Sequence, residues 1–247
     1  MFLAIDVGNT QSTLGLFDDE GQLAKGWRMT SNASDTSDML HARLFSYFLK
    51  DGYELADVSA AAVASVVPVL TRAWWRCLGD LLGRSPLLVN ATHDYGMPID
   101  MPNPRTVGAD RIANAIAARN AYGSPVIVVD FGTATNIDVV DDRGAYRGGA
   151  ISPGLMLSAN ALFGKAAKLA SIPVEAPEHA LGDTTETAMQ SGLVIGAAAQ
   201  AEGLVSRMKA ELGIEQAKVI GTGGLARTVS RATDLFDAVD PTLTLRG

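Results

Sequence analysis

The chain has 247 residues, 47% of them hydrophobic and 19% charged, which allows a full buried core and excludes both a disordered polyelectrolyte and a membrane-embedded composition. Its 20 Lys and Arg against 27 Asp and Glu give a formal charge of -7, and the basic residues form no block and no aromatic interleaving, so no nucleic-acid partner is expected. The first residues enter a strand pattern without a basic segment or a small-residue cleavage site, and no 18-residue apolar run occurs, so a cytoplasmic protein without a membrane partner is expected.

Met1 to Thr10 is an apolar run ending in Asp6-Val7-Gly8-Asn9-Thr10. A second apolar segment and the turn Asp18-Asp19-Glu20-Gly21 follow, which predicts a β-hairpin. A third extended segment, Leu23 to Met29, leads into the polar stretch Thr30 to Asp38, a loop placed to touch a ligand. A helix pattern then runs through Leu40, Leu44, Phe45, Phe48 and Leu49. Ala60 to Val67 is apolar on both faces, as in a strand covered by helices, and stops at Pro68. The helix predicted over Thr71 to Leu82 holds Trp74, Trp75 and the single cysteine, Cys77, which has no CxxC partner and reads as a packing residue in a reducing compartment. His41, His93 and His179 are too dispersed to mark a metal site. Leu87 to Val89 is a short strand, and Asn90 to Pro104, rich in Pro, Gly, Asn and Asp, is a long loop. Gly108-Ala109-Asp110-Arg111 opens an apolar helix over Ile112 to Ala121 that ends near Gly123 and Pro125. A domain boundary placed there divides the chain into 1–122 and 123–247.

The second half repeats the opening of the first. Val126 to Thr135 is an apolar run ending in Asp130-Phe131-Gly132-Thr133-Ala134-Thr135, followed by a second segment and the turn Asp141-Asp142-Arg143-Gly144. A repeat at half-length predicts two related domains facing each other across a cleft. Tyr146 to Ile151 is extended, and Ser152-Pro153-Gly154 turns into a helix over Leu155 to Lys168. A polar loop, Ser171 to Thr184, precedes one long helix or two over Thr185 to Met208, with Gly192, Gly196 and Gly203 spaced for close backbone contact. The strand Lys218 to Ile220 enters Gly221-Thr222-Gly223-Gly224, and a helix from Leu225 to about Ala232 precedes the acidic segment Asp237 to Asp240 and then Leu243 to Leu245.

The duplicated turn offers N–H and hydroxyl donors to a phosphate and a carboxylate to a metal ion, a combination suited to phosphoryl transfer. No turn matches the P-loop or the dinucleotide fingerprint. Gly221 to Gly224 reads either as a turn open to a nucleotide or as a strand-to-helix packing turn. Asp110 sits where the helix dipole and the neighbouring Arg111 favour the carboxylate, so it is expected to serve as a base without an elevated pKa; a plain helix cap is the alternative.

The stretches Asp6-Val-Gly-Asn-Thr10, Ser65-Val-Val-Pro68, Asn103-Pro104 with Val107-Gly-Ala-Asp-Arg111, and Val129-Asp-Phe-Gly-Thr-Ala-Thr135 continue in order into four more. These are Gly148-Gly-Ala-Ile-Ser-Pro-Gly154, Met189-Gln-Ser-Gly192, Gly221-Thr-Gly-Gly-Leu225 and Asp240-Pro-Thr-Leu-Thr-Leu245. Together they resemble type III pantothenate kinases, of the acetate kinase, sugar kinase, Hsp70 and actin superfamily. The resemblance implies an α/β fold of two duplicated ribonuclease H-like domains, with mixed sheets flanked by helices. It implies transfer of the γ-phosphoryl group of ATP to the 4′-hydroxyl of pantothenate, the first step of coenzyme A biosynthesis, by a homodimer.

It also implies roles for individual residues. Asp110 would be the general base, Gly108 and Arg111 would bind pantothenate, and Thr185 would reach pantothenate from the partner subunit. Asp6, Gly8, Asn9 and Thr10 would line the phosphate and Mg²⁺ region, with Asp6 toward the metal. Gly132, Thr133 and Gly223 would face the nucleotide, and Asp130 would hold a monovalent cation, K⁺ or NH₄⁺. The chain departs from the family pattern at Met101, commonly Tyr; at Asn136, usually Thr; at Thr184, usually Asn; and at its end, where the family usually continues beyond Gly247. Those departures keep open a kinase of another small alcohol or sugar, and a non-catalytic nucleotide-binding homologue.

Overall fold

Six apolar-rich residues set the frame of the first sheet. β1 (Phe2–Val7) pairs antiparallel with β2 (Gln11–Phe17), and β2 pairs antiparallel with β3 (Leu23–Thr30). On its other side β1 pairs in parallel with β4 (Ala60–Ser65), which pairs with the short β5 (Leu87–Leu88), giving the order β3-β2-β1-β4-β5. The computed structural model describes residues 1–165 and 172–247.

Helix α1 (Ser37–Asp51) starts where the Thr36 hydroxyl accepts the N–H of Met39 and stops at the left-handed Gly52. Leu40, Leu44 and Phe48 recur every four residues and are buried, whereas Phe45 and Leu49, expected on the same stripe, lie one position on and are exposed. α2 (Pro68–Leu82) uses Pro68 in its first turn, where a missing N–H costs nothing. Its Leu70, Trp74, Cys77 and Leu78 join Leu3, Ile5, Leu14, Leu16 and Phe48 in one core. Burial pushes the Cys77 thiol up to about 12, which fits the packing role.

The second sheet repeats the first strand for strand. β6 (Val126–Phe131) pairs antiparallel with β7 (Ala134–Val140), β7 antiparallel with β8 (Tyr146–Pro153), and β6 parallel with β9 (Lys218–Thr222). A two-residue β10 (Ala238–Val239) extends β9 in parallel, so the order is β10-β9-β6-β7-β8. Read from the β8 edge, this is the order of the first sheet, and each second-to-third strand pairing carries a register shift, at Leu16/Phe17 and at Val139/Val140. Two mixed five-stranded sheets flanked by helices are the duplicated ribonuclease H-like fold.

The remaining helices are α3 (Ala109–Tyr122), α4 (Leu155–Lys165), α5 (Thr185–Gln190), α6 (Gly196–Leu212), α7 (Ala226–Val229) and α8 (Leu243–Arg246). The last residues of the helix expected to reach Lys168, and Ser171 at the head of the expected polar loop, lie outside the described residues. Between α5 and α6 the chain makes a π-helical turn, Ser191–Ile195, so the expected long helix is continuous but widened in its middle. The close contacts expected at Gly192 and Gly203 are not found: among the described residues, a Cβ at either position meets nothing within 4 Å. β10 and α8 were hidden in the acidic and short apolar stretches of the C-terminal sequence.

Contacts divide the chain into two units. Unit 1 comprises Met1–His93, Arg105–Ala113 and Thr244–Gly247, and unit 2 comprises Asp94–Pro104 and Asn114–Leu243. Unit 2 has its own core, with Ile127, Val129, Phe131, Ile137 and Val139 packed against Ala198, Ala201 and Val205 of α6. No described helix is long and apolar enough to cross a membrane.

Candidate active site

In unit 1, Asp6 is the penultimate residue of β1, between Thr13 of β2 and Ala64 of β4. The chain then turns through Gly8, Asn9 and Thr10, and the Gly8 N–H donates to the Gln11 carbonyl at 3.1 Å. Asn9 and Thr10 are exposed. Two neighbouring segments fasten this turn. The Val66 N–H donates to the Val7 carbonyl at 3.1 Å, and the Ser31 N–H donates to the Thr10 carbonyl at 3.0 Å.

Gly108 precedes α3 in the same unit. A Cβ there would lie 2.6 Å from Asp110 Oδ1 and 3.5 Å from Val66 Cγ1, so the missing side chain lets the Asp110 carboxylate fold back over the helix start. Asp110 Oδ1 accepts the Arg111 N–H at 2.9 Å. Val66 thus lies against the Gly108–Asp110 segment while its backbone hangs from the strand residue after Asp6. The Asp110 pKa is raised above its ordinary value. Burial is the largest influence, and the N–H and charge of Arg111 oppose it without cancelling it. This corrects the expectation of a base without an elevated pKa: the helix-start argument counted the favourable partners and omitted the desolvation.

In unit 2, Asp130 is the penultimate residue of β6, between Asn136 of β7 and Thr222 of β9. Its Oδ2 accepts the side-chain N–H of Asn114 at 3.0 Å, and Asn114 is 1% exposed. Its Oδ1 would sit 2.4 Å from a Cβ at Gly223, whose φ of +89° also favours glycine. The Gly132 N–H donates to the Ala134 carbonyl at 3.1 Å, the Gly154 N–H to the Thr133 carbonyl at 3.1 Å, and Gly132 and Thr133 are exposed. Among the described residues no three His, Cys, Asp or Glu side chains gather as a metal cage. A single carboxylate beside exposed amides suits a cation whose other ligands come from phosphate, water or carbonyls.

A family model for type III pantothenate kinase matches residues 2–207. A type III pantothenate kinase from Moorella thermoacetica is 42% identical over 247 residues, covering 100% of this chain and 96% of that protein. The chain belongs to the type III pantothenate kinase family. Among solved structures, a conserved protein from Campylobacter jejuni assigned to the Baf family of transcriptional activators aligns over 99% of this chain and 94% of its own, with a TM-score of 0.64 at 18% identity. An activator of 2-hydroxyisocaproyl-CoA dehydratase from Clostridium difficile, solved with bound ADPNP, aligns over 99% and 90% with a TM-score of 0.53 at 12% identity. Those two likenesses speak for the fold.

Three residues expected from the sequence to depart from the family pattern lie in unit 2. Met101 packs over Gly148, with its sulfur 3.4 Å from where a Cβ would stand. Asn136 is the cross-strand neighbour of Asp130. Thr184 caps α5: its hydroxyl accepts the Thr187 N–H, and the Thr187 hydroxyl returns a bond from the Thr184 N–H. This leaves Thr185 exposed on the first turn of α5.

Sequence reasoning missed one group at the site, Asn114, and one at the opposite end of the β6–β7 hairpin, Asp141. Asn114 was read as part of an apolar helix, although an Asn one turn after Asp110 in an alanine-rich stretch was the available signal. Asp141 was read as a turn residue. It is in fact a buried hub, accepting the N–H groups of Arg143 and Ala145 at 3.0 Å each and the guanidinium groups of Arg143 and Arg147 at 3.1 Å each. Arg143 and Arg147 also reach Asp100, in the loop that carries Met101. Burial works to raise the Asp141 pKa, and Ala145 with the two arginines outweighs it, holding the carboxyl below the usual range.

Proposed function

We infer that this protein transfers the γ-phosphoryl group of ATP to the 4′-hydroxyl of pantothenate. The observation that carries the reading is a Gly-Ala-Asp-Arg helix start with a folded-back, partly buried Asp110, linked through Val66 to the strand that carries Asp6, in a chain of this family. Asp110 accepts the hydroxyl proton as the oxygen attacks, and its raised pKa brings it nearer the pH at which a base is most effective. Arg111 presents a planar fork to the pantothenate carboxylate, and Gly108 leaves room for both.

The exposed turn Gly8-Asn9-Thr10 cradles phosphate oxygens, with Asp6 beside them toward Mg²⁺. Asp6 would help hold Mg²⁺ there, and the ion would supply neutralisation of the charge that develops during transfer. Gly132, Thr133 and Gly223 form the corresponding phosphate-side surface in unit 2. Asp130, steadied by Asn114, holds a monovalent cation, K⁺ or NH₄⁺.

The assembly in this reading is a homodimer in which Thr185 serves the neighbouring site. Its support is the exposure of Thr185 together with exposed Ile151, Met156, Leu157, Leu162 and Leu181 in the same unit. The halves 1–122 and 123–247 are the duplicated segments, and a cytoplasmic location without nucleic-acid or membrane partners fits the acidic composition and the single buried thiol.

ADP formation by purified protein with ATP, Mg²⁺ and K⁺ is expected to require pantothenate. Folded protein that shows no pantothenate-dependent turnover would overturn the assignment. Met101 packed on Gly148, in place of the family's Tyr, favours a second reading with another small alcohol as acceptor. A panel of alcohols separates the two, and pantothenate is expected to give the highest kcat/KM.

A further inference from the structure

Both halves tie the carbonyl of the hairpin turn to the end of the third strand. Gly154 does this in unit 2 with its N–H alone, at 3.1 Å from the Thr133 carbonyl. Ser31 does it in unit 1 at 3.0 Å from the Thr10 carbonyl and adds a side-chain bond, with its hydroxyl 2.8 Å from that of Ser12. Ser12 is 1% exposed and stands on β2 directly across from Val7 and Met29.

The segment after Ser31 is anchored as well. The Asp35 N–H donates to the Asn32 carbonyl at 2.9 Å, and the Asp35 carboxylate, 2% exposed, takes both guanidinium nitrogens of Arg43 from α1 at 2.5 and 2.9 Å. A bidentate pair of this kind fixes angle as well as distance. Ser31 is therefore held directly from β2, the segment four residues on is held from α1, and the Ser31 N–H meets the turn at Thr10.

We propose that Ser31 is a positioning residue for the nucleotide: its hydroxyl bond to Ser12 and its N–H bond to Thr10 fix the Gly8-Asn9-Thr10 turn in the form that receives phosphate. This rests on the reading of that turn as the phosphate site. In unit 2 the equivalent backbone tie needs no hydroxyl because Gly154 is wedged against the turn, where a Cβ would lie 2.3 Å from the Thr133 carbonyl oxygen.

The test is titration calorimetry of Mg-ATP with the full chain, together with steady-state kinetics, for Ser31→Ala, Ser31→Thr and the double variant Ser12→Ala/Ser31→Ala. The double variant leaves no buried hydroxyl unpaired and so keeps the test alive if Ser31→Ala folds poorly. Loss of one hydrogen bond's worth of restraint is expected to weaken ATP binding and raise ATP KM about fivefold, with pantothenate KM within about twofold. Ser31→Thr, which keeps the hydroxyl, is expected to restore wild-type values. ATP affinity within twofold of wild type in both alanine variants would overturn the proposal, as would a Thr variant as weak as Ala. Asp6→Asn serves as the control. If it too left ATP binding unchanged, the phosphate reading of the turn would fall; if it weakened binding while the alanine variants did not, the role of Ser31 alone would fall.

Discussion

After β1 the chain leaves Asp6 through Gly8-Asn9-Thr10, and after β6 it leaves Asp130 through Gly132-Thr133. In both turns the glycine N–H closes on a carbonyl at 3.1 Å. The segment after the parallel partner strand then sends an N–H back to the residue after the aspartate: Val66 to the Val7 carbonyl at 3.1 Å, and Leu225 to the Phe131 carbonyl at 3.4 Å. The backbone frame is the same, and the side chains that finish it are not. Asp6 lies between Thr13 and Ala64, whereas Asp130 lies between Asn136 and Thr222, takes a bond from buried Asn114 and is pressed by the Gly223 backbone. A repeated frame supplies two acidic turns whose surroundings differ, and the proposed function gives phosphate chemistry to one and a cation to the other.

The largest expected effect tests the unit 1 side. Asp110→Asn should lower kcat about 10²- to 10⁴-fold with little change in pantothenate KM, measured by coupled ADP formation. For the wild type, the acid limb of kcat/KM should lie above the ordinary carboxyl value of 3.8, and the variant should lose it. The sign for stability is the reverse of the usual carboxylate. A raised folded pKa means that the stability linked to this group is present below the unfolded pKa and is lost as pH rises through the folded one. The Asn variant, with no charge to desolvate, should be at least as stable as wild type at pH 7 by thermal melting.

Gly223→Ala probes the unit 2 socket. Positive φ and a Cβ 2.4 Å from Asp130 Oδ1 should cost about 3 kcal/mol in urea unfolding. The matching position in the first sheet, Ser65, tolerates a side chain. Ser65→Ala should cost only about 1 kcal/mol, for the lost bonds to Val67 and Thr71. Equal costs would break the contrast.

A smaller effect compares the second turns of the two hairpins. Asp141→Asn should cost about 2 kcal/mol at pH 7, because its carboxylate is 4% exposed and serves two N–H groups and two arginines. Asp18→Asn, in the exposed counterpart, should cost under about 0.5 kcal/mol. The depressed Asp141 pKa places its contribution above the unfolded value, and the contribution is lost as pH falls through the folded one. The Asp141→Asn difference should therefore shrink below about pH 4.

The hairpins, their repetition and the acidic turns were legible because apolar runs closed by Asp-x-Gly have a strong local signature. Asp110 was found but its ionisation was misjudged, since desolvation depends on what packs over a helix start and local residue order does not carry that. Ser31 lay in a loop expected to touch a ligand, but aperiodic sequence singles out no residue of it, and Asn114 was passed over in a helix that looked wholly apolar. The glycines at 192 and 203 suggested helix contact, yet open space faces both in the described chain. β10 is two residues long and flanked by aspartates, too short for alternation to register.

The division of labour between the two turns is tested most directly by titrating K⁺ and Mg²⁺ separately against pantothenate kinase activity in wild type, Asp6→Asn and Asp130→Asn. Asp130→Asn is expected to raise the K⁺ concentration for half-activation at least about tenfold and to leave the Mg²⁺ response near wild type. Asp6→Asn is expected to do the reverse. An Asp130→Asn enzyme with an unchanged K⁺ response, or an Asp6→Asn enzyme impaired only toward K⁺, would contradict the account.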